Sequence, residues 1–343
     1  MAELCNYYTF TNITNMEDFL ANIRDCASLN GWIIDKDDIT DNKELYLHSN
    51  HGGRNLYFSM RSFMTHDPDE PNAWYHVLEL FANTGFDDSK SVNEQPGKWG
   101  EWTAHWYDYD YRFKLFFPML HQYVIASSQA LFVFYDCYKS EILQGSDVHI
   151  EGSLPGRWVL SLAFGGIDLY NDSDTEGNFF FCDYPIIEPN YNDTQTWIFY
   201  IHSSAFGTNT EVSDIYPTEV LYYGGNKINA DCGISTARTI RYGYGRYETT
   251  LPTYGKKGFK YCDGVRLNEW SSRTSMIKPI VSIHHEDAEN QYFFPIGEFP
   301  YYACKAYPHA KAGDVLSFGT RKFIVFPLIS YTEEYGIAIE VNP

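Results

Sequence analysis

The chain has 343 residues, 44% hydrophobic and 20% charged, so burial of apolar side chains can offset the ordering entropy of folding. Its formal net charge is -20 and no basic run interrupts the acidic balance, which argues against a nucleic-acid partner bound through phosphates. No segment has the length of a membrane span, and the start MAELCNYYTF lacks the basic region and apolar core of a signal peptide, so we expect a protein made in the cytoplasm without a membrane partner.

Aromatic residues make up 18% of the chain, with 29 Tyr, 24 Phe and 8 Trp. These residue types favour the half-buried surface of a β-sheet, and Tyr also favours contact surfaces where its hydroxyl stays hydrated. The seven cysteines form no Cys-x-x-Cys pair, and several lie in apolar stretches. Buried free thiols in a reducing compartment explain this pattern better than a disulfide framework does.

One amphipathic helix is predicted near the start of the chain. Thr14 can cap its N-terminus, and Glu17 three residues later completes a capping box. Gly31 marks its end. The apolar positions recur at helical spacing: Met16, Phe19, Leu20, Ile23 and Ala27.

Short strands are predicted from Trp32 onward. GWIIDK, ELYLHS and NLYFSMRSF alternate apolar and polar residues, with NHGGR as a turn. AWYHVLELFANTGF fits both periods, and we favour a strand because of its aromatic residues. EQPGKWGEW reads as a loop.

The segment YRFKLFFPMLHQYVIASSQALFVFYDCY contains two apolar runs separated by ASSQ. We interpret it as consecutive strands of a core sheet, since its Phe, Val, Ile and Tyr residues disfavour the alternative of a helical hairpin. Pro118 marks an edge or a break in the first run, because proline cannot donate to a strand ladder.

The middle of the chain, residues 151–290, is rich in Gly, Asn, Asp, Tyr and Pro, with strand-like islands such as RWVLSLAF and KPIVSIHH. The end, GDVLSFGTRKFIVFPLISYTEEYGIAIEVNP, reads as a hairpin. Its first strand is apolar on both faces, with Phe323 and Val325 on one face and Ile324 and Phe326 on the other, so it is predicted to be central.

These patterns predict a mainly β fold, with sandwich-like or barrel-like sheets, one N-terminal amphipathic helix and a loop-rich middle region. The predicted domains are an N-terminal β domain with the leading helix over 1–150, a loop-rich β region over 151–290 and a C-terminal hairpin over 291–343 that completes a β domain.

The sharpest motif for a metal is DSDTEGNFFFCD, which has the rhythm of oxygen ligands in a calcium loop. Its candidate ligands are Asp172, Asp174, Glu176 and Asp183. The flanking sequence is typical of strand and loop rather than of two helices, and Asp183 stands where a longer bidentate Glu is usual. We therefore favour an acidic loop before a Phe-rich strand, and we predict no cofactor.

No catalytic residue is predicted, because no His-Glu-x-x-His, Gly-x-Ser-x-Gly or phosphate-loop motif occurs in the sequence. His284 and His285 are neighbours in a predicted strand, so they point to opposite faces and do not readily share one ion. Six aromatic residues are candidates for an interface, although they could also stack sugars or pack a core. They are Trp102, Trp106, Tyr107, Tyr109, Tyr111 and Trp270.

The order of segments NGWIIDK, ELYLHSNHGGRNLYFSMRSF, WYHVLELFANTGFDD, the long apolar segment above and the final RKFIVFPL and YGIAIEV resembles tail-associated virion structural proteins of tailed bacteriophages. The resemblance covers roughly the first 150 and the last 50 residues. It implies a non-enzymatic building block of the tail, baseplate, or neck and collar, located in the virion, present in several copies and partnered by other virion proteins. It transfers no catalytic residue to this chain.

Two other classes of function stay open from the sequence. A receptor-binding or carbohydrate-binding tail module could use surface aromatics such as Trp102, Trp106 and Trp270. A polysaccharide-degrading enzyme would need two carboxylates across a cleft, and pairs such as Asp87/Asp88 are too common in an acidic chain to indicate one.

Overall fold

The structure, a computed structural model, describes residues 4–51, 53–67, 70–96, 113–115, 117–137, 158–166, 168–169, 179–182, 200–202, 218–219, 232–236, 276–277, 280–286, 291–298, 300, 302–305, 312–327 and 335–343. Over these residues the protein is mainly β with one α-helix, which confirms the predicted fold class. Much of the predicted loop-rich middle region lies outside them, and the domain boundaries at 150 and 290 stay predictions.

The described elements comprise a single α-helix, a short 3-10 turn at Val92–Glu94 and twenty-one strands. In chain order, the helix and strands are β1 (Asn6–Ile13), α1 (Met16–Leu29), β2 (Ile33–Asp38), β3 (Glu44–His51), β4 (Arg54–Asp67), β5 (Glu70–Asn83), β6 (Phe113–Leu115), β7 (Met119–Ala126), β8 (Ala130–Cys137), β9 (Trp158–Gly166), β10 (Asp168–Leu169), β11 (Phe179–Cys182), β12 (Tyr200–His202), β13 (Thr218–Glu219), β14 (Cys232–Thr236), β15 (Met276–Ile277), β16 (Ile280–Glu286), β17 (Gln291–Glu298), β18 (Tyr302–Lys305), β19 (Asp314–Phe318), β20 (Arg321–Pro327) and β21 (Tyr335–Val341).

These elements belong to two compact units. The first lies within Cys5–Gly165 and Phe179–Pro185, and the second comprises Met1–Leu4, Gly166–Asn178 and Ile186–Pro343. In the first unit, sheet I has the strand order β1-β7-β8-β9-β11 and sheet II the order β2-β3-β4-β5-β6. Consecutive strands pair antiparallel from β2 to β5 and from β7 to β9.

Helix α1 begins one residue later than the capping prediction. Asn15, not Thr14, is the N-cap, and its side-chain oxygen accepts a 2.8 Å hydrogen bond from the backbone N–H of Asp18. Asn and Thr are both good caps, so the local sequence alone did not decide between them. The end of the helix is as predicted, because Gly31 follows with a positive φ of 88°, a conformation that favours glycine.

One face of α1 is buried, as its helical spacing predicts. The buried residues are Met16, Phe19, Leu20, Ile23, Cys26 and Ala27. Helix α1 lies against sheet I, where buried Gln122 of β7 donates a 3.0 Å hydrogen bond to the Phe19 carbonyl and accepts one from Asn22. The ring of Phe19 meets Tyr135 of β8 edge-on at 5.4 Å. Cys5 and Cys26 are buried free thiols, as expected from the sequence, and burial raises the pKa of Cys26 to about 12.

The long apolar segment of residues 111–138 contributes to both sheets of the first unit. Its two main runs form the hairpin β7–β8 in sheet I, as predicted. The part before Pro118 instead forms β6, which pairs with β5 in sheet II. Strand β8 pairs with β7 and β9, and residues 130–135 are buried on both of its faces. Full burial of each large apolar side chain stabilises the folded state by about 1.5–3 kcal/mol. Because β8 is buried on both faces, this hairpin lies at the centre of the core of the first unit.

Trp32 joins the helix to both sheets of the first unit. Its indole N–H donates a 2.7 Å hydrogen bond to the carbonyl of Ser127, in the β7–β8 turn. Its ring lies 5.5 Å from Phe164 of sheet I and 5.9 Å from Phe58 of sheet II, measured between centroids. Phe58 and Phe164 also contact each other at 4.6 Å. The two sheets therefore meet around this tryptophan.

The second unit contains two described sheets and the short pair β12–β13. Sheet III has the order β15-β18-β21-β20-β19, and sheet IV the order β10-β17-β16-β14. The predicted C-terminal hairpin is β20–β21, and β20 is central as predicted, with residues 323–326 buried. Strand β19 adds a third strand that the sequence analysis had merged into the hairpin. His284 and His285 are consecutive residues of β16, as predicted.

We expect Trp32→Ala to lower the free energy of unfolding by about 3–5 kcal/mol, because it leaves a cavity between the sheets and removes the hydrogen bond to Ser127. Leu29→Ala is the matched control, since Leu29 is 73% exposed and lies three residues earlier. It should change stability by about 0.5 kcal/mol or less. Urea titration followed by circular dichroism measures both, and equal midpoints for the two variants would contradict the role of Trp32.

We expect Gly165→Ala to cost at least about 2 kcal/mol of stability. A Cβ at this position would lie 2.4 Å from the Gln129 carbonyl oxygen and 2.6 Å from Ala130 Cα, and the φ of 155° is strained for any side chain. Gly85→Ala is the control, because its nearest neighbour, Pro96 Cβ, lies at an ordinary 3.8 Å. Thermal unfolding distinguishes them: only the Gly165 variant should melt at a clearly lower temperature.

Candidate functional site

The residues predicted from sequence as an interface lie outside the described part of the chain: Trp102, Trp106, Tyr107, Tyr109, Tyr111 and Trp270. The candidate calcium ligands Asp172, Asp174, Glu176 and Asp183 also lie outside it. Both hypotheses therefore stay predictions. Among the residues that are described, no group of three or more His, Cys, Asp or Glu side chains is placed to hold a metal ion.

Several titratable groups share the face of sheet II opposite to Phe58 and Trp32, which we call the polar face. The alternation of β3, β4 and β5 places polar and aromatic residues there in register. They are Glu44, Tyr46 and His48 of β3, Tyr57, Ser59 and Arg61 of β4, and Glu79, Phe81 and Asn83 of β5.

A histidine–aspartate pair lies at the β2 side of the polar face. Asp35 is the extra residue of a β-bulge, since the register of β2 against β3 shifts between Ile34 and Lys36. Its two carboxylate oxygens lie 2.8 and 2.9 Å from Nδ1 of His48. The His48 ring packs on Tyr57 with a centroid distance of 4.8 Å. Both partners of this hydrogen-bonded pair are largely buried, so the pair fastens the end strand β2 to β3.

The centre of the polar face is also paired internally. Arg61 Nε lies 2.5 Å from Glu79 Oε2, and its guanidinium lies 5.9 Å from the centre of the Phe81 ring. The Tyr46 hydroxyl donates a 2.7 Å hydrogen bond to Glu44. Burial, and then that bond to Glu44, raise the pKa of Tyr46, so its phenol stays protonated at neutral pH.

The segment after β5 covers part of the polar face. Val92 and Phe86 pack on Tyr46 and Phe81 in one apolar cluster. Gln95 holds the segment in shape, because its amide nitrogen donates to the carbonyls of three residues and its oxygen accepts from a backbone N–H. The three carbonyls belong to Asp87, Lys90 and Ser91, and the N–H belongs to Asp87. This segment therefore stabilises the sheet and shields Tyr46 and Phe81 from solvent.

The sequence and contacts of the polar face allow one test for general-base chemistry. A His–Asp pair can act as a general base, but it needs a nucleophile or a substrate proton within hydrogen-bond reach. Among the contacts described for His48, its ring meets Asp35 and Tyr57 and reaches no Ser, Thr or Cys side chain. The pairs on this face tie neighbouring strands together.

A different feature recurs in three of the described sheets, at their end strands. Strands β1, β2 and β19 each stand at the end of the strand order in sheets I, II and III. Each also carries a large apolar side chain that solvent reaches: Tyr7 is 43% exposed, Ile33 55% and Phe318 43%. An end strand offers backbone N–H and C=O groups in a row, and exposed apolar residues beside such a row are typical of contact surfaces. These open edges are the candidate functional site.

Comparison with known proteins does not assign the chain to a family: no protein-family model matches it, and no curated protein does. The described residues include no helix with the length and apolar character needed to cross a membrane.

Of the three edge strands, only β2 was predicted from the sequence, since no strand was predicted at β1 and β19 was not separated from the C-terminal hairpin. Strand order depends on long-range pairing, such as that of β1 with β7, which no local pattern reveals. The Asp35–His48 pair was missed for a related reason. Asp35 interrupts the alternation of IIDKDD, and that interruption is the one signal that could have predicted a bulge there.

The pH dependence of stability can be tested at His76, which lies on β5 near Glu17 and Lys43 and has its ring edge-on to Phe117. Burial lowers the pKa of His76 below its ordinary value of 6.5. The folded chain therefore binds a proton at His76 more weakly than the unfolded chain does. The stabilisation of the fold by neutral His76 is complete above pH 6.5 and is lost as the pH falls. We expect the free energy of unfolding to decline less steeply from pH 7 to pH 5 in His76→Gln than in the wild type. Urea titrations at several pH values measure this, and parallel profiles would contradict it.

Proposed function

We propose that this protein is a structural component of a bacteriophage virion, in the tail, the baseplate, or the neck and collar, and that it acts through protein–protein contacts rather than catalysis. The observation that carries the proposal is the recurrence of open end strands with exposed apolar residues in sheets I, II and III. The resemblance of the chain to tail-associated virion proteins supplies the setting.

Accessible strand edges favour assembly with neighbouring subunits. Strand edges are aggregation hazards that proteins ordinarily cover, shorten or charge. A chain that keeps several edges accessible gains from them if neighbouring subunits complete the sheets, because main-chain hydrogen bonds then give affinity and side chains give specificity. Repeated copies in a symmetric ring would use the same surfaces on every subunit.

The rigidity of the first unit supports the same role. The hairpin β7–β8 is buried on both faces of β8, and Trp32 fastens helix and sheets together. A building block that keeps its shape pays little ordering entropy when it docks, so a moderate contact area suffices. On the polar face, Arg61–Glu79 and Asp35–His48 are satisfied pairs that add stiffness.

We expect the purified full chain to self-associate, and we expect the protein to be found in virions by mass spectrometry and immunogold labelling. Light scattering after size-exclusion chromatography gives the mass of the species in solution. A chain that stays monomeric and is missing from purified particles would rule out this function. A glycan-binding activity without incorporation into particles would favour a different one.

A further inference from the structure

Strand β1 forms an exposed edge of sheet I in the first unit. Within the part of the chain that the structure describes, it pairs with β7 on one side, from Asn6 opposite Ala126 to Ile13 opposite Met119, and has no strand on the other. Both of its ends are anchored, since Cys5 just before it is 2% exposed and Ile13 at its end is 3% exposed. The edge is therefore held in an extended shape before any partner arrives.

Asn30 at the end of α1 fixes β1 from one face. Its side-chain oxygen accepts a 2.7 Å hydrogen bond from Asn6, and its amide nitrogen donates to the Tyr8 hydroxyl at 3.0 Å. The same amide nitrogen donates to the Cys26 carbonyl at 2.6 Å, which ties the arrangement to the helix. Tyr7, Thr9 and Thr11 project from the opposite face of the strand, and all three are exposed.

The ladder geometry determines which backbone groups of β1 point outward. In the β7–β8 turn, Ser127 N–H donates to the Ala130 carbonyl at 2.9 Å, so Ser127 belongs to a hydrogen-bonded pair. Antiparallel ladders alternate, so β7 turns the backbone groups of residues 122, 124 and 126 towards β1. Their partners Asn6, Tyr8 and Phe10 bond to β7. It follows that Tyr7, Thr9 and Thr11 present their N–H and C=O groups on the open side.

Charge distinguishes this edge from the other end strand of the first unit. Strand β1 reads NYYTFTNI and has no charged residue and no proline. Strand β2 reads IIDKDD, with three aspartates and one lysine in six residues. Two copies of a chain with net charge -20 repel each other, and two β2 edges would add aspartates to that repulsion. Two β1 edges meet without like charges and without the devices that normally block edge pairing.

We propose that β1 pairs with β1 of a second copy of this chain, antiparallel about a two-fold axis at Thr9, so that sheet I continues across the subunit boundary. This inference rests on the proposed function and names a partner for one of its edges. Thr9 then faces the partner's Thr9 in a hydrogen-bonded pair, and Tyr7 faces the partner's Thr11. All three outward residues of each strand bond in this register, and Thr–Thr and aromatic–Thr neighbours are favourable cross-strand pairs.

A cysteine cross-link tests both the partner and the register. In a hydrogen-bonded antiparallel pair, opposite Cα atoms are about 5.5 Å apart, which a disulfide can span. Thr9→Cys should form a covalent dimer when the full chain is treated with copper–phenanthroline in air, as the two thiols give up two protons and two electrons to the oxidant. Reducing agent should reverse it.

Thr11→Cys is the matched control. It has the same residue type, strand and exposed face, but it lies opposite the partner's Tyr7, and the two Thr11 positions are about 14 Å apart at ~3.4 Å per residue. It should not cross-link, and neither should the wild type, whose own cysteines control for other links. Equal cross-linking of both variants, or none by Thr9→Cys in a chain that associates, would overturn the β1 pairing.

The outcomes separate this inference from the proposed function. If the wild type associates and occurs in particles while Thr9→Cys stays unlinked, assembly stands and β1 is not the contact between copies. If Thr9→Cys forms a disulfide with a different virion protein in particles, β1 is a contact surface, but its partner is that protein and not a second copy of this chain. A chain that neither associates nor occurs in particles fails both proposals.

Thr9→Pro tests the β1 pairing without a cross-link. Proline at an outward position of an edge strand removes one backbone donor and is compatible with the fold. This variant should lower the fraction of dimer in solution.

Discussion

The contact on which the first unit depends is the insertion of Trp32 between its two sheets. Its indole hydrogen bond to Ser127 holds the β7–β8 turn, and its ring contacts both Phe58 of sheet II and Phe164 of sheet I. Gly31 makes this possible, because its positive φ turns the chain between the end of α1 at Leu29 and the start of β2 at Ile33. The helix end, the turn and both sheets are thereby fixed at a single point.

This junction also prepares the surface of the molecule. Asn30 precedes Gly31 and bonds to Asn6 and Tyr8, so the geometry that places Trp32 in the core also places β1 at the rim of sheet I. A second hydrogen bond, from Ser49 of β3 to the Ser128 carbonyl, joins sheet II to the same turn. The edge and the core are two results of one set of contacts, and a change at the junction would disturb both.

Much of this fold could be predicted from local sequence. Alternation predicted β2 to β4, aromatic and apolar composition predicted β5 and β7 to β9, helical spacing predicted α1, and the double-faced apolar pattern of residues 323–326 correctly predicted a central strand. The predictions failed at β1, β6 and β19, and of these only β1 and β6 pair with strands distant in the sequence. Strand β6 belongs to sheet II although it precedes Pro118 in one continuous apolar run, and β19 was not separated from the hairpin because its partner lies across a short turn.

The candidate site could be predicted less well than the fold. Aromatic residues were expected to form contact surfaces, but those chosen, such as Trp102 and Trp270, lie outside the described residues. The end strands matter because, among the described strands, each pairs on one side only. Local sequence patterns do not show which strands pair with each other. The sequence shows that NYYTFTNI is uncharged and that IIDKDD is charged, but β1 was not predicted as a strand, and only the strand order places it at the end of sheet I.

Amide hydrogen exchange on the full chain, resolved by residue, tests the central claim that β1 is an open edge filled by a second copy. The account predicts that Tyr8 and Phe10, which bond to β7, are protected at every protein concentration. The amides of Tyr7, Thr9 and Thr11 should be protected at concentrations where the chain is associated and exchange freely after dilution. Free exchange of these three amides in the associated form would contradict the account.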